Sequence, residues 1–251
     1  MSLKISIITV AYNAEKSIED TIQSVLSQTY SNIEYIIVDG NSTDTTLDIC
    51  NKYKNKISTL VSEKDDGIYD AMNKGVALAT GDVIGVLNAD DFYIDDRVID
   101  KVVSKFSKEN CDGLYANLVY VDGNDTSKVT RTWLSGDYKE NSFMKGWMPP
   151  HPTFFVKTEC YKKFGNYSLE LKSAADYELM LRMIHKHKIV LSYLNEITVK
   201  MRVGGVSNSS LKNRLNANKE DRRAWEMNNL KPGFFTLIRK PLSKVFQFFK
   251  H

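Results

Sequence analysis

The chain has few cysteines: Cys50, Cys111 and Cys160 are the three among 251 residues. They are far apart, odd in number and form no C-x-x-C pair. That argues against a disulfide framework and a zinc site and predicts a reducing compartment. No apolar run reaches the length needed to span a bilayer. Strand character begins at Lys4, so no leader peptide is expected ahead of it. The net charge of +3 is slight. No Lys/Arg stripe with interleaved aromatics precedes the C-terminal tail, so nucleic acid is not an expected partner. Neither G-x-G-x-x-G after the first strand nor G-x-x-x-x-G-K-[ST] occurs, which excludes the dinucleotide fingerprint and the P-loop.

What is present is an alternation of apolar strands and amphipathic helices. Residues 5–10, 33–38, 58–62 and 83–87 read as strands, the longer runs buried on both faces. Between them Ile18, Ile22, Val25 and Leu26 fall at helical spacing. So do Leu47, Ile49, Cys50 and Tyr53, then Ile68, Met72, Val76 and Ala79, with Gly81 as the expected stop. Val98, Ile99, Val102, Val103 and Phe106 predict another helix. Residues 113–121 and 129–134 alternate around Asp122-Gly123-Asn124-Asp125 and predict a hairpin. A proline-rich stretch, 147–154, leads to a further strand. Ser173–Glu178 opens a helix whose late His185 and His187 are expected to be solvated and favoured by the dipole. Residues 189–203 form the last strand, and the Gly204-Gly205 loop after it is either a lid or a connector. Strand–helix alternation at this spacing predicts an α/β fold, a mostly parallel sheet flanked by helices.

Asn13, Asp39, Asp65 and Asp90 each close a strand, which places polar groups along one sheet edge, where α/β proteins bind ligands. The densest is Asn88-Ala89-Asp90-Asp91 after the central strand. Adjacent carboxylates at the end of a buried strand repel each other and lose hydration. A hard divalent cation would compensate them, as would a solvated turn capping a helix. Asp176 is open to the same pair of readings, a helix cap or a general base. His151, between prolines, suits a rigid turn or a phosphate or acceptor contact. Tyr69 and Trp147 suit a core or pocket wall, or a sugar platform.

Several segments, taken in order, resemble the family 2 glycosyltransferases, inverting enzymes of the GT-A fold. They are S-I-I-T-V-A-Y-N at 6–13, V-D-G-N-S-T-D at 38–44 and E-K-D-D-G-I-Y-D-A-M-N-K-G at 63–75. A-T-G-D-V-I-G-V-L-N-A-D-D at 79–91, H-P-T-F-F at 151–155 and A-D-Y-E-L-M-L-R at 175–182 complete the set. The resemblance implies a GT-A domain over 1–208, with a nucleotide-sugar-binding half at 1–110 and an acceptor half at 111–208, followed by a helical tail at 209–251. It implies a nucleotide-sugar donor, usually a UDP-sugar, and Mn2+ or Mg2+. Carried over by position, Ala11 and Tyr12 pack the base and Asp39 binds it. Asp65 contacts the nucleotide or donor, and Asn73, Lys74 and Gly75 line the donor pocket. Asp91 then leads as metal ligand, with Asp90 for ribose or metal and Asp176 as catalytic base. Asn88 stands where many relatives carry the first Asp, and Ala175 where many carry Glu.

The resemblance further implies a glycan or lipid-linked glycan acceptor, bacterial surface polysaccharide synthesis and a place at the cytoplasmic face of the membrane. Two rivals are a non-catalytic binding protein on the same scaffold and a sugar nucleotidyltransferase. The second usually carries a Gly-rich loop where this chain has Ala11-Tyr12-Asn13-Ala14. The tail, residues 231–251, interleaves phenylalanines with lysines and is too short and charged to span a bilayer. It predicts a contact with an anionic membrane surface, or packing on the domain or in a homodimer.

Overall fold

In the computed structural model, the residues described are 2–203, 211–233 and 236, with side chains of 211–218 left aside. The Gly204-Gly205 loop and nearly all of the expected membrane-binding tail lie outside them. β1 (Ile5–Ala11), β2 (Ile33–Asp39), β3 (Thr59–Ser62) and β4 (Val83–Val86) make a parallel half-sheet in the order β3-β2-β1-β4. β5 (Asp91–Tyr93), β6 (Gly113–Val121), β7 (Val129–Trp133), β8 (Phe155–Lys157) and β9 (Leu191–Arg202) extend it as β4-β8-β6-β9-β5, with β7 paired to β6. This second half is mixed: β8 runs antiparallel to β4 and β6, whereas β6 and β9 are parallel. Parallel pairing among the early strands follows from their helical crossovers.

Each early strand feeds two cores by alternation. Ile8, Val10, Ile36, Val38, Ile84 and Val86 face one layer, shared with α3 (Ile68–Leu78), α5 (Thr158–Phe164) and α6 (Ala175–Met180). Ile5, Ile7, Tyr35, Ile37, Val83 and Leu87 face the other, with α1 (Ile18–Leu26), α2 (Thr46–Lys52) and α4 (Val98–Lys108). Burial on both faces explains why these strands read as continuous apolar runs.

A buried carboxylate pins the sheet end remote from the acidic turn. Glu34 of β2 accepts from Lys4 Nζ at 2.8 Å, Ser6 Oγ at 2.6 Å and Thr80 N at 2.7 Å. Burial pushes its pKa up, but these donors together hold it at about 2. α3 ends at Leu78 with Ala79 already extended, so Gly81 is not its stop. Gly81 instead lies against Lys4 and Ser6, where any side chain would collide with β1.

After Met180 the α6 helix runs on as a π-helical stretch, Leu181–Lys186. His185 there packs on Phe143 and Trp225, and His187 stacks on Phe164 with ring centres 4.3 Å apart. Burial and nearby cations push both imidazoles down, the reverse of the dipole-favoured charge the sequence suggests. α7 (Leu211–Met227), assigned by the sequence to the tail, braces α6. Trp225 is fully buried and its indole N–H donates to Tyr177 Oη at 2.9 Å. Glu220 accepts from Ser173 N at 2.7 Å, just before α6 begins.

Candidate active site

The strand ends align by register. Ala11 lies opposite Asp39, Asp39 opposite Ser62, and Ile8 opposite Val86, while Ala89 N donates to Val10 O. The loops after β1, β2, β3 and β4 therefore share one edge. Their backbones are laced together: Asn13 N donates to Ser42 Oγ, and Thr43 N to Asn13 Oδ1, both at 2.9 Å.

At this edge Tyr12 leaves 66% of its surface exposed. Beside it lies Gly40, where a Cβ would meet Asp65 Oδ2 at 2.9 Å, the Tyr12 ring at 3.4 Å and Ala11 O at 3.6 Å. The missing side chain lets an aromatic ring, a carboxylate and a backbone carbonyl close in on one point, with no room there for a Cβ. Below it Asp39 is fully buried. Its carboxylate takes Ser42 N at 3.1 Å, Ser42 Oγ at 2.5 Å and Ser62 Oγ at 2.6 Å. About four lone-pair sites are available on a carboxylate, so one remains for a ligand. The other oxygen of Asp65, Oδ1, is held by Lys74 Nζ at 2.6 Å.

The segment 73–75 is tied into the chain around the site. Asn73 spends its amide on Tyr167, donating to the carbonyl and accepting from the N–H, both at 2.9 Å. Lys74 bridges Glu63, Asp65 and Asp70, and the hydrogen bonds to Asp65 and Glu63 push its pKa up. Gly75 is the point where α3 touches β1, since a Cβ there would lie 2.3 Å from Ile8 Cγ2. Lys74 thus fixes one of the carboxylates at the site, while Asn73 and Gly75 tie α3 to the Tyr167 segment and to β1.

The turn 88–91 follows β4. Asn88 Oδ1 and both carboxylate oxygens of Asp91 are buried without a hydrogen-bond partner. Asp91 is completely enclosed, whereas Asp90 is only partly buried. Asp90 is thus the carboxylate nearer solvent, and Asp91, the first metal candidate from the sequence, lies beneath it. Burial pushes both carboxyls up, Asp91 well above the usual range, and Arg202 partly offsets this. Arg202, which the sequence reading missed, ends β9, donates to Asp90 O at 2.9 Å, pairs with Asp20 and lies over Phe92. Among the described residues no three His, Cys, Asp or Glu side chains form a metal-binding group. The turn nevertheless supplies hard oxygen donors with unsatisfied lone pairs, the chemistry a divalent cation on a diphosphate requires.

Asp176 sits in the first turn of α6, half-buried, and accepts from Tyr69 Oη at 3.2 Å. It makes no side-chain cap. His151 is buried in a turn packed beside β4 and meets Tyr167 Oη at 3.2 Å through Nε2. Burial holds its imidazole below the ordinary value, partly offset by Asp176. Trp147 donates its indole N–H to Ser135 O at 2.7 Å and packs among Tyr115, Tyr138 and Phe143. Its polar edge is thus used internally.

Comparison with known proteins agrees with this architecture. The chain is 27% identical over 208 residues to the PGL/p-HBAD biosynthesis glycosyltransferase of Mycobacterium tuberculosis, covering 81% of this chain and 79% of that protein. It is 32% identical over 136 residues to glycosyltransferase GlyG of Streptococcus pneumoniae, covering 52% and 45%. Among solved structures, S. aureus TarS 1-349 with UDP-GlcNAc superposes with a TM-score of 0.70 at 20% identity, covering 90% of this chain and 65% of that one. The mannosyltransferase PcManGT from Pyrobaculum calidifontis, with GDP-Man and Mn2+, gives 0.66 at 15%, covering 95% and 68%. At such identities the structures establish the GT-A fold. The glycosyl transferase family 2 profile matches residues 6–160, more than half of the sequence, and the chain belongs to that family.

Proposed function

We propose that this protein transfers a sugar, with inversion, from a UDP-sugar to a hydroxyl of a glycan or lipid-linked glycan in surface polysaccharide synthesis. The observation that carries this reading is the joint placement, on one sheet edge, of the exposed Tyr12 ring beside Gly40, Asp65 and Asp39 and the unpartnered oxygens of the 88–91 turn. The exposed ring suits a flat base as its platform, with the remaining lone pair of Asp39 as acceptor for an imide N–H. Asp90 would hold the divalent cation, Mn2+ or Mg2+, with Asp91 and Asn88 supplying oxygens from beneath. When bound, that cation would neutralise charge growing on the departing diphosphate.

The chain's own work is orientation and proton transfer. Asp176 takes the proton of the acceptor hydroxyl as its oxygen attacks the anomeric carbon from the side opposite the diphosphate. Neutral His151 and Tyr167 make the wall behind it. Residues 231–251 bring the enzyme to a membrane surface carrying the acceptor, a reading that rests on their sequence.

A thermal-shift screen of nucleotide-sugars with Mn2+ identifies the donor, because only a ligand bound to the folded state raises the melting point. With that donor, Asp176→Asn is expected to keep donor affinity and lose transfer by about 10²-fold or more, the usual contribution of a general base. Near-normal turnover would overturn the assignment.

A further inference from the structure

α3 presents Tyr69 and Asn73 four residues apart, hence on one face. Both reach the chain segment that carries Asp176. Asn73 clamps the backbone of Tyr167 in both directions at 2.9 Å. The Tyr167 ring in turn stacks on Tyr69, centroids 5.9 Å apart and planes within 17°. Tyr167 is held on its far side by His151 at 3.2 Å and Tyr161 at 3.5 Å. Tyr69 is therefore fixed along its ring face, and it is 8% exposed. Its hydroxyl has one outlet, Asp176 Oδ1 at 3.2 Å, and it also faces the first-turn N–H groups of Ala175 and Asp176. Among the described residues, Asp176 Oδ2 has no hydrogen-bond donor.

We propose that Tyr69 is a positioning residue: its hydroxyl holds Oδ1 of Asp176 and thereby presents Oδ2 to the acceptor hydroxyl. The inference rests on Asp176 being the base. A half-exposed Asp at a helix start otherwise samples several rotamers, and only one aims an oxygen at the neighbouring substrate. Fixing one oxygen through a residue itself wedged between stacked rings removes that freedom. The groups that face Asp176 are Tyr69 from α3, His151 from the turn before β8 and Tyr167 from the loop after α5. Tyr69 alone among them donates to the carboxylate.

The test needs no acceptor. The full chain is labelled with ¹³C at the aspartate carboxyls, and the Asp176 resonance is assigned by its loss in Asp176→Asn. Tyr69→Phe keeps the ring and its stacking, so the melting point is expected to stay within a few degrees. The Asp176 carboxyl resonance at neutral pH should move in Tyr69→Phe, because the hydroxyl no longer donates to Oδ1. Asn73→Ser, which loosens Tyr167, should move it less and in the same direction, while His151→Gln measures the contribution of the imidazole. An unmoved resonance in folded Tyr69→Phe would overturn the inference.

A second readout separates this from the base assignment: Mn2+-dependent UDP release from UDP-GlcNAc with water as acceptor. Tyr69→Phe should lower turnover about tenfold with the donor KM unchanged, and should cost nothing further in Asp176→Asn. Undiminished release in Asp176→Asn refutes the base. Lost release in Asp176→Asn with an unaltered Tyr69→Phe refutes only the positioning role.

Discussion

Gly40→Ala tests the proposed base platform apart from the rest of the machinery. The new methyl would stand 2.9 Å from Asp65 Oδ2, a distance that real Cβ atoms avoid, and at ordinary contact distance from the Tyr12 ring, 3.4 Å. Tyr12 can absorb the intrusion. Asp65 cannot readily retreat, because Lys74 grips its other oxygen at 2.6 Å. The methyl therefore displaces the Tyr12 ring, the surface on which the base is expected to lie. A base stacked on an aromatic side chain contributes about 1–3 kcal/mol, so UDP affinity should fall roughly 5- to 150-fold. The ring that yields is largely exposed, so the fold should be little affected. Calorimetric titration of UDP with Mn2+, on wild type and variant of matched melting point, measures the loss. Equal affinity would show that the base lies elsewhere on the edge.

Other outcomes follow from the framework. Glu34→Gln should destabilise the fold at neutral pH by about 2 kcal/mol. A fall from 4.5 to about 2 corresponds to about 3 kcal/mol, reduced because Lys4 is 38% exposed. A lowered carboxylate stabilises above its unfolded value, so the gap between variant and wild type should close as pH falls from about 4.5 to about 2. Urea melts at several pH values check this, and a gap independent of pH would refute it. Gly75→Ala forces a methyl within 2.3 Å of Ile8 Cγ2 and should cost about 1–3 kcal/mol in the same melts. Removal of residues 231–251 should abolish co-sedimentation with anionic liposomes and leave UDP binding intact, and equal sedimentation would remove the membrane role.

The fold was legible because its strands are buried on both faces and its helices carry single apolar stripes. Those patterns are local. The acidic strand ends were legible for the same reason, since strand and loop alternate in the sequence itself. The packing partners of residues 73–75 were not. Gly75 answers to Ile8 and Asn73 to Tyr167, partners far along the chain that only packing brings together. Arg202 escaped notice because a lone arginine at a strand end carries no pattern. The difference in burial between Asp90 and Asp91 is set by the turn, which adjacency cannot reveal. A hint lay in the Tyr69–Asn73 spacing, which puts two polar groups on an otherwise apolar helix face. The π-helical turn after Met180 that packs His185 on Phe143 and Trp225 left no such hint.

The central claim is that a nucleotide binds at these strand ends with a divalent cation held by the 88–91 turn. UDP binding by calorimetry, compared in Mn2+ and in excess EDTA for wild type and Asp90→Asn, tests it most directly. Binding in Mn2+ that weakens at least tenfold in EDTA, and a similarly weakened Asp90→Asn that no longer responds to the metal, is the predicted result. Wild-type affinity that is the same in EDTA, or an Asp90→Asn variant that binds UDP and responds to Mn2+ as the wild type does, would contradict it.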